Sequence, residues 1–374
     1  MANLKTTPRP TRHITDRLVD NDKHLTRLDI TASLLQGYTR WEREAFFAAL
    51  QSNHTVTHVH LSGEDLESVM PAEEIVLLID SIGYLEQLTE LFVFRGDCEA
   101  LTGERVGQCL SVSLNVKVLM LWGFTLAEEL PLAAAIRSHP NLTRVTLTIP
   151  KRLPYAALDV YAMGLAMMKK LKCLSIRCNC RQFEPIFSPE ALTILMGSTS
   201  IDSLYLENIG LTDDHSDAIA LELPNNKTLT LLDIKHNLFS DDALFAFAIG
   251  LKQNSTLKSL DLSGVSISPK GVYTLAEALQ YNTTITNLEL EGDAVRFRDE
   301  FNVPEGHSQS DYMQALNFQL RLNRAGPRNT KASFVEALNM VSDHVGCLFH
   351  LVKKHANYFE GTHDTPPGFV EEEI

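Results

Sequence analysis

Cysteines, histidines and paired carboxylates are the residues in this chain whose types and spacing could do chemistry. RCNCRQF, residues 177–183, holds Cys178-x-Cys180, with Cys173 five residues upstream. Thiolates so spaced can bind zinc or exchange disulfides, but a zinc site needs further ligands, usually a second pair at matching spacing, and none follows. The set reads as small apolar side chains at a turn, and no metal is expected. His54, His58 and His60 lie close together in NHTVTHVHL, residues 53–61. His58 and His60 share one strand face with no carboxylate or cysteine in phase beside them, so they read as exposed polar side chains rather than ligands. Asp213-Asp214 and Asp241-Asp242 each precede a helical stretch, where carboxylates complement the positive helix end. No Gly-x-Gly-x-x-Gly, phosphate-binding Gly-Lys-Ser/Thr loop, nucleophile elbow or zinc-protease helix motif occurs. The expectation is a protein with no catalytic residues and no cofactor.

Two other stretches carry the chemistry of contact. In TELFVFRG, residues 89–96, Leu91, Phe92, Val93 and Phe94 run apolar on both faces of what should be a strand, and KVLMLWG, residues 117–123, does the same. A strand half in water alternates apolar and polar, so the second face of these two calls for a cover.

The elements that position them repeat along the chain. An apolar-x-x-apolar-x-apolar phrase reads LTRLDI at 25, VTHVHL at 56, LTELFV at 88, VKVLML at 116, LTRVTL at 142, LKCLSI at 171, IDSLYL at 201, LTLLDI at 229, LKSLDL at 257 and ITNLEL at 285. The spacings between successive central apolar residues are 31, 32, 28, 26, 29, 30, 28, 28 and 28. Many copies follow a short Asn-containing turn, as in NNKTLTLL, NSTLKSL and NTTITNL, and between copies lie helical stretches such as DDALFAFAIGLKQN. Ser188-Pro189 and Ser268-Pro269 read as N-caps with proline at the first helical position.

With these phrases, residues 21–292 resemble the ribonuclease-inhibitor-like class of leucine-rich repeat proteins; LTLLDIKHN, residues 229–237, is the most specific part. The resemblance implies an α/β leucine-rich repeat solenoid, a horseshoe with parallel strands on the concave face, helices on the convex face and a helical C-terminal cap. The family's Asn or Cys three residues after the last strand apolar is met by Asn179 and Asn237, whereas Gly96, Phe124, Ile209 and Val265 depart from it, which predicts an irregular loop ladder. The domain reading is a flexible N-terminal segment at 1–20, a solenoid of about ten repeats at 21–292, a cap at 293–360 and a flexible tail at 361–374. LRLNRAGPR with ALNMVSDHVGCLFHLV in the cap resembles the C-terminal region of eukaryotic-style leucine-rich repeat proteins.

Alternation across each strand then names the concave face: His58 and His60; Glu90, Phe92 and Phe94; Met120 and Trp122; Arg144; Arg177; Tyr205 and Glu207; Asp233; Asp261; Glu289. Phe92, Phe94 and Trp122 each carry roughly 150–250 Å² of surface, which with Met120 gives a patch of about 600 Å². That is the upper end of what a monomer exposes without purpose. Three readings stand: a site for a protein partner, a surface covered by the N-terminal segment, or rings packed mainly on one another. The acidic run from Asp233 to Glu289 either receives a basic segment or is a solvated face.

The formal net charge is −14, with 47 acidic and 33 basic residues, so no nucleic acid partner is expected. No segment approaches the roughly 20 apolar residues of a membrane span, and no membrane insertion is expected. Six scattered cysteines fit a reducing compartment, and the N-terminus shows no apolar signal core. The reading is a non-enzymatic scaffold or adaptor that holds a protein partner in its concavity. It is either a cytoplasmic eukaryotic protein or a eukaryotic-like effector of an intracellular bacterial pathogen acting in the host cytosol. No oligomeric state is implied. The alternative is a GTPase-activating protein for a small GTPase, since the activator of the nuclear-transport GTPase is similar in architecture; Arg144 and Arg177 are then the residues to test.

Overall fold

The computed structural model describes residues 13–124, 130–180, 182, 184–290 and 309–324. Its strands are β1 (Arg27–Ile30), β2 (His58–Ser62), β3 (Glu90–Phe94), β4 (Val118–Trp122), β5 (Arg144–Ile149), β6 (Cys173–Cys178), β7 (Ser203–Glu207), β8 (Leu231–Asp233), β9 (Ser259–Asp261) and β10 (Asn287–Glu289). They form one parallel sheet in sequence order, each joined to the next through helix, which is the expected α/β leucine-rich repeat solenoid. Each copy of the repeated phrase supplies one strand. Its apolar residues point to the helices and build one continuous core, from Leu28 through Leu119 and Leu204 to Leu260.

What ties repeat to repeat is a ladder of polar side chains at the turns before the strands. Asn53, Asn226, Asn254 and Asn282 are all buried. Each amide nitrogen donates to a carbonyl of the preceding repeat, for instance Asn226 to Met196 at 2.5 Å and Asn282 to Leu251 at 2.8 Å. Each amide oxygen accepts the N–H at the start of the next apolar phrase, as from Leu229 at 2.7 Å and Ile285 at 2.9 Å. The recurrent Asn in the sequence is therefore a satisfied buried group that sets repeat spacing. Where Asn is missing, smaller or larger donors stand in: Ser113 donates to Gly83, Ser198 to Ala166, and His139 Nε2 to Ser113. Threonines add a second ladder, with Thr57, Thr89 and Thr143 donating side-chain hydroxyls to Thr26, Thr57 and Lys117 carbonyls.

The ladder histidine gives a pH-dependent prediction. His139 Nε2 donates to the Ser113 carbonyl and Nδ1 accepts the Asn141 N–H, so the fold holds the neutral ring. Burial pushes its pKa below the usual value, outweighing the Ser113 contact that raises it. With the folded pKa depressed, its contribution to stability is complete above the unfolded pKa of about 6.5 and is lost as pH falls through the folded value. His139→Asn puts the usual ladder residue in place, and urea midpoints either side of that pH should depend less on pH than in the wild type. Equal pH slopes would sink the idea.

Helix starts are linked too. Asp213 accepts from Ser240 N–H and hydroxyl at 2.8 and 2.6 Å, Asp241 does the same for Ser268, and Asp159 accepts the Ser188 N–H at 2.8 Å. Ser188 and Ser268 cap their own helices by accepting from Ala191 and Lys270 N–H groups. The carboxylate pairs thus serve helix starts and inter-repeat contacts. In the loop positions, Asn237 is buried and bonded to Ile209 and Leu211 N–H groups, while Ile209, Val265 and Phe124 fill the equivalent places with apolar bulk. Asn179 is exposed instead.

The N-terminal segment departs from expectation. Ile14–Val19 is a helix whose Leu18 is fully buried, and the Leu18 carbonyl accepts from Asn53, so the ordered ladder starts inside the segment read as flexible at 1–20. Coverage of the aromatic rings by residues 1–12 lies outside the described residues, as do most of the expected cap at 293–360 and all of the tail at 361–374. Within the cap, Gln309–Arg324 is a helix, and Asn323 donates to the Asn282 and Ile285 carbonyls as the next rung of the ladder.

Candidate functional site

Parallel in-register pairing sorts the side chains of the free sheet face into rows. The middle row runs Asp29, His60, Phe92, Met120, Thr146, Ser175, Tyr205, Asp233, Asp261 and Glu289, one residue per strand. Arg27, His58, Glu90, Val118 and Arg144 lie in the row on one side, and Phe94, Trp122, Thr148, Arg177 and Glu207 in the row on the other. All fourteen residues named from sequence lie on this face, but they fall into three zones rather than one site.

The first zone is apolar. His60 and Phe92 rings sit with centroids 4.3 Å apart, and Phe94 and Trp122 rings 5.0 Å apart, tilted at 44° and 51°. Neighbouring parallel strands hold the rings side by side, and Phe92, Phe94, Met120 and Trp122 are each half-buried. The exposed patch is accordingly smaller than the about 600 Å² that free side chains would offer. Beside it lies an open hollow of about 260 Å³ lined by Arg27, His58, His60, Glu90, Phe92 and Met120.

The rim of this hollow corrects the histidine reading. Carboxylates do stand in phase, on the neighbouring strands: His58 Nε2 is 3.4 Å from Glu90, and His60 Nδ1 is 3.7 Å from Asp29. Asp29 also lies 3.6 Å from Arg27. Burial lowers the His60 pKa, more than Asp29 raises it. Sequence reasoning missed Arg27 and Asp29 by starting the site at the second repeat. The first copy, LTRLDI, alternates in the same way and would have supplied both.

The second zone is cationic, with Arg144 and Arg177 its charged side chains. Thr146 and Ser175 are short, Arg144 is exposed and Arg177 is half-buried, with its Nε buried and without an acceptor among the described residues. Half-buried Tyr205 closes the zone, its hydroxyl pKa pushed up by burial.

Acid dominates the third. Asp233 is only 5% exposed, Asp261 is half-buried and Glu289 exposed. Lys235 Nζ lies 3.1 Å from Asp233 and 3.8 Å from Glu207. Burial raises the Asp233 pKa against the lowering hydrogen bonds from Lys235, and Asp261 adds to the rise. A uniformly solvated acidic face is therefore not what forms, because Asp233 is enclosed and shares one lysine with Glu207.

The thiols offer little chemistry. Burial pushes Cys178 and Cys109 up to about 12 and Cys98 up to about 11, far from a thiolate at neutral pH. Among the described residues, no three His, Cys, Asp or Glu side chains converge on a metal position, and no helix is long and apolar enough to cross a membrane.

Residues 225–248 and 253–276 match the family described as Leucine Rich repeat. Comparison with curated proteins finds no match. Among solved structures, a Bacteroides fragilis protein is similar at 13% identity over 71% of this chain and 74% of that one, with a TM-score of 0.44. A structure of the Rad7 and Elc1 complex in yeast aligns at 13% identity over 80% and 87%, with a TM-score of 0.41. One of a TLR13–ssRNA13 complex aligns at 16% over 72% and 33%, with a TM-score of 0.43. Likeness at this level carries no argument about function. Sheet, ladder and the two matched segments give the chain the α/β leucine-rich repeat solenoid fold.

Proposed function

We propose that this protein is a non-enzymatic scaffold or adaptor that binds a protein partner on the free face of its sheet, working in the cytoplasm or, as an injected bacterial effector, in the host cytosol. One observation carries the reading. Two ring pairs, Met120 and Val118 gather apolar surface on the adjacent strands β2 to β4 of this face, bordered by Arg27, Glu90 and Arg144. Aromatic anchors within a charged rim are the composition that concentrates binding energy in protein interfaces.

The test compares wild type with a Phe92→Glu, Trp122→Glu double variant in pull-downs from lysate, after circular dichroism shows both folded. Substitutions on the free face spare the core, so the variant should fold and lose its partner. The same proteins recovered with both would overturn the reading. GTPase activation stays attached to Arg144 and Arg177; a scaffold leaves GTP hydrolysis by a panel of small GTPases unchanged, whereas an activator raises one of them.

A further inference from the structure

The three zones of the free face are ordered along the solenoid, and that order specifies a partner. Apolar side chains occupy β3 and β4, arginines β5 and β6, and carboxylates β8 to β10. We infer that the face takes a peptide segment with an apolar anchor at one end and a run of lysine or arginine at the other, the anchor on Phe92 and Met120 and the basic run over Asp233, Asp261 and Glu289. This rests on the reading that the free face binds protein.

Charge complementarity selects the occupant. Asp233, Asp261 and Glu289 stand on adjacent strands in one row, and Lys235, the cation that reaches Asp233, is shared with Glu207. The strands that carry these like charges are about 4.8 Å apart, so the charges repel; with Asp233 enclosed beside Lys235, a cation laid along the row meets Asp261 and Glu289 directly and Asp233 through the field of the row. Burial and the Asp261 charge already hold the Asp233 carboxyl above its ordinary range, so a cation there stabilises its ionised form. At the other end, the hollow of about 260 Å³ offers Phe92 and Met120 as its apolar lining.

Arg144 and Arg177 fix the pattern between the ends. They repel cations over β5 and β6, so the basic residues must be gathered at one end rather than spread along the segment. From β3 to β9 are six strand steps, about 29 Å, which an extended segment at about 3.3 Å per residue crosses in roughly nine residues. A nucleic acid fits poorly, because its phosphates would meet the acidic row.

Fluorescence anisotropy with the full chain tests this. The probe is a labelled peptide with a Phe-Leu anchor and a lysine run separated by a neutral spacer of about six residues, enough for the four strand steps from β4 to β8. Controls replace the lysines by glutamates or halve the spacer. The lysine peptide should bind, more weakly as salt rises, and both controls should fail. In Asp233→Asn, Asp261→Asn, Glu289→Gln the affinity should drop about tenfold and lose most of its salt dependence. Glu289→Gln alone, at an exposed position, should show a smaller drop and keeps the test valid if the triple variant does not fold. Binding of the glutamate peptide, absence of binding by any peptide, or tighter binding of a poly(U) probe overturns the inference. Unchanged affinity in both charge variants does so too. The parent reading is judged separately: peptide affinity lost on Phe92→Glu but kept in the charge variants leaves the scaffold standing, whereas partner capture unaffected by the Phe92→Glu, Trp122→Glu variant brings it down.

Discussion

Phe247→Ala is expected to lower the stability of the C-terminal repeats by about 3–5 kcal/mol, as truncation of a core phenylalanine does. Phe247 lies in the helix Asp241–Gln253, is 1% exposed and meets Phe239 edge to face at 5.2 Å and 80°. Removing the ring leaves a cavity and strips Phe239 of its partner, and the helix is packed on both sides by its neighbours Asp213–Glu222 and Pro269–Leu279. Because each repeat is stable only against the next, the loss should pass to adjacent repeats. Urea unfolding followed by circular dichroism should show an earlier first transition, and limited proteolysis should cut first near residues 241–279. Phe245 on the same helix is the control: it is 42% exposed with Lys270 Nζ 5.0 Å from its ring centroid. Phe245→Ala should cost under about 1 kcal/mol. Similar shifts for the two would mean that the helix does not pack through Phe247.

This contrast was legible in the sequence only in outline. DDALFAFAIGLKQN predicts a helix with an apolar stripe, and the repeated phrase fixes which strand residues face it, because strand period and repeat length both follow from one apolar pattern. The free face was legible for the same reason: residues between the apolar positions have nowhere else to point. What escaped is everything that depends on the neighbouring strand. His58 and His60 look isolated along the chain, yet Glu90 and Asp29 stand beside them across the sheet. Phe92, Phe94 and Trp122 look free, yet each shares surface with a ring or side chain one repeat away. Asp233 looks solvated, yet it lies in a three-residue strand and is closed over beside Lys235. Repeats 26 to 32 residues apart make such contacts, and no local pattern carries them. The helix Ile14–Val19 is likewise too short for a periodic signal and exists through the burial of Leu18 and the bond from Asn53.

Asn254→Ala should cost about 3 kcal/mol, although it removes no apolar contact. Asn254 is 4% exposed; its amide nitrogen donates to the Leu223 carbonyl at 2.6 Å, and its oxygen accepts from Thr256 and Leu257 N–H groups at 3.0 and 2.8 Å. Alanine leaves a carbonyl and an amide next to fully buried leucines without partners and without access to water. The cost of those orphans, rather than the modest worth of the bonds, sets the size of the effect. Two further substitutions separate this account from a simple loss of volume. Asn254→Ser should recover part of the stability, because Ser198 does the ladder's work by donating to Ala166 and accepting from Ser200 and Ile201 N–H groups. Asn254→Asp keeps size and acceptor but cannot donate, and it sets a negative charge against the Leu223 carbonyl, so it should be no better than alanine. Chemical unfolding of the three variants gives the order directly. If aspartate proved as stable as asparagine, the donated bond to the preceding repeat would be dispensable, and the spacing of the strands, with the zones of the free face that depend on it, would have to come from apolar packing alone.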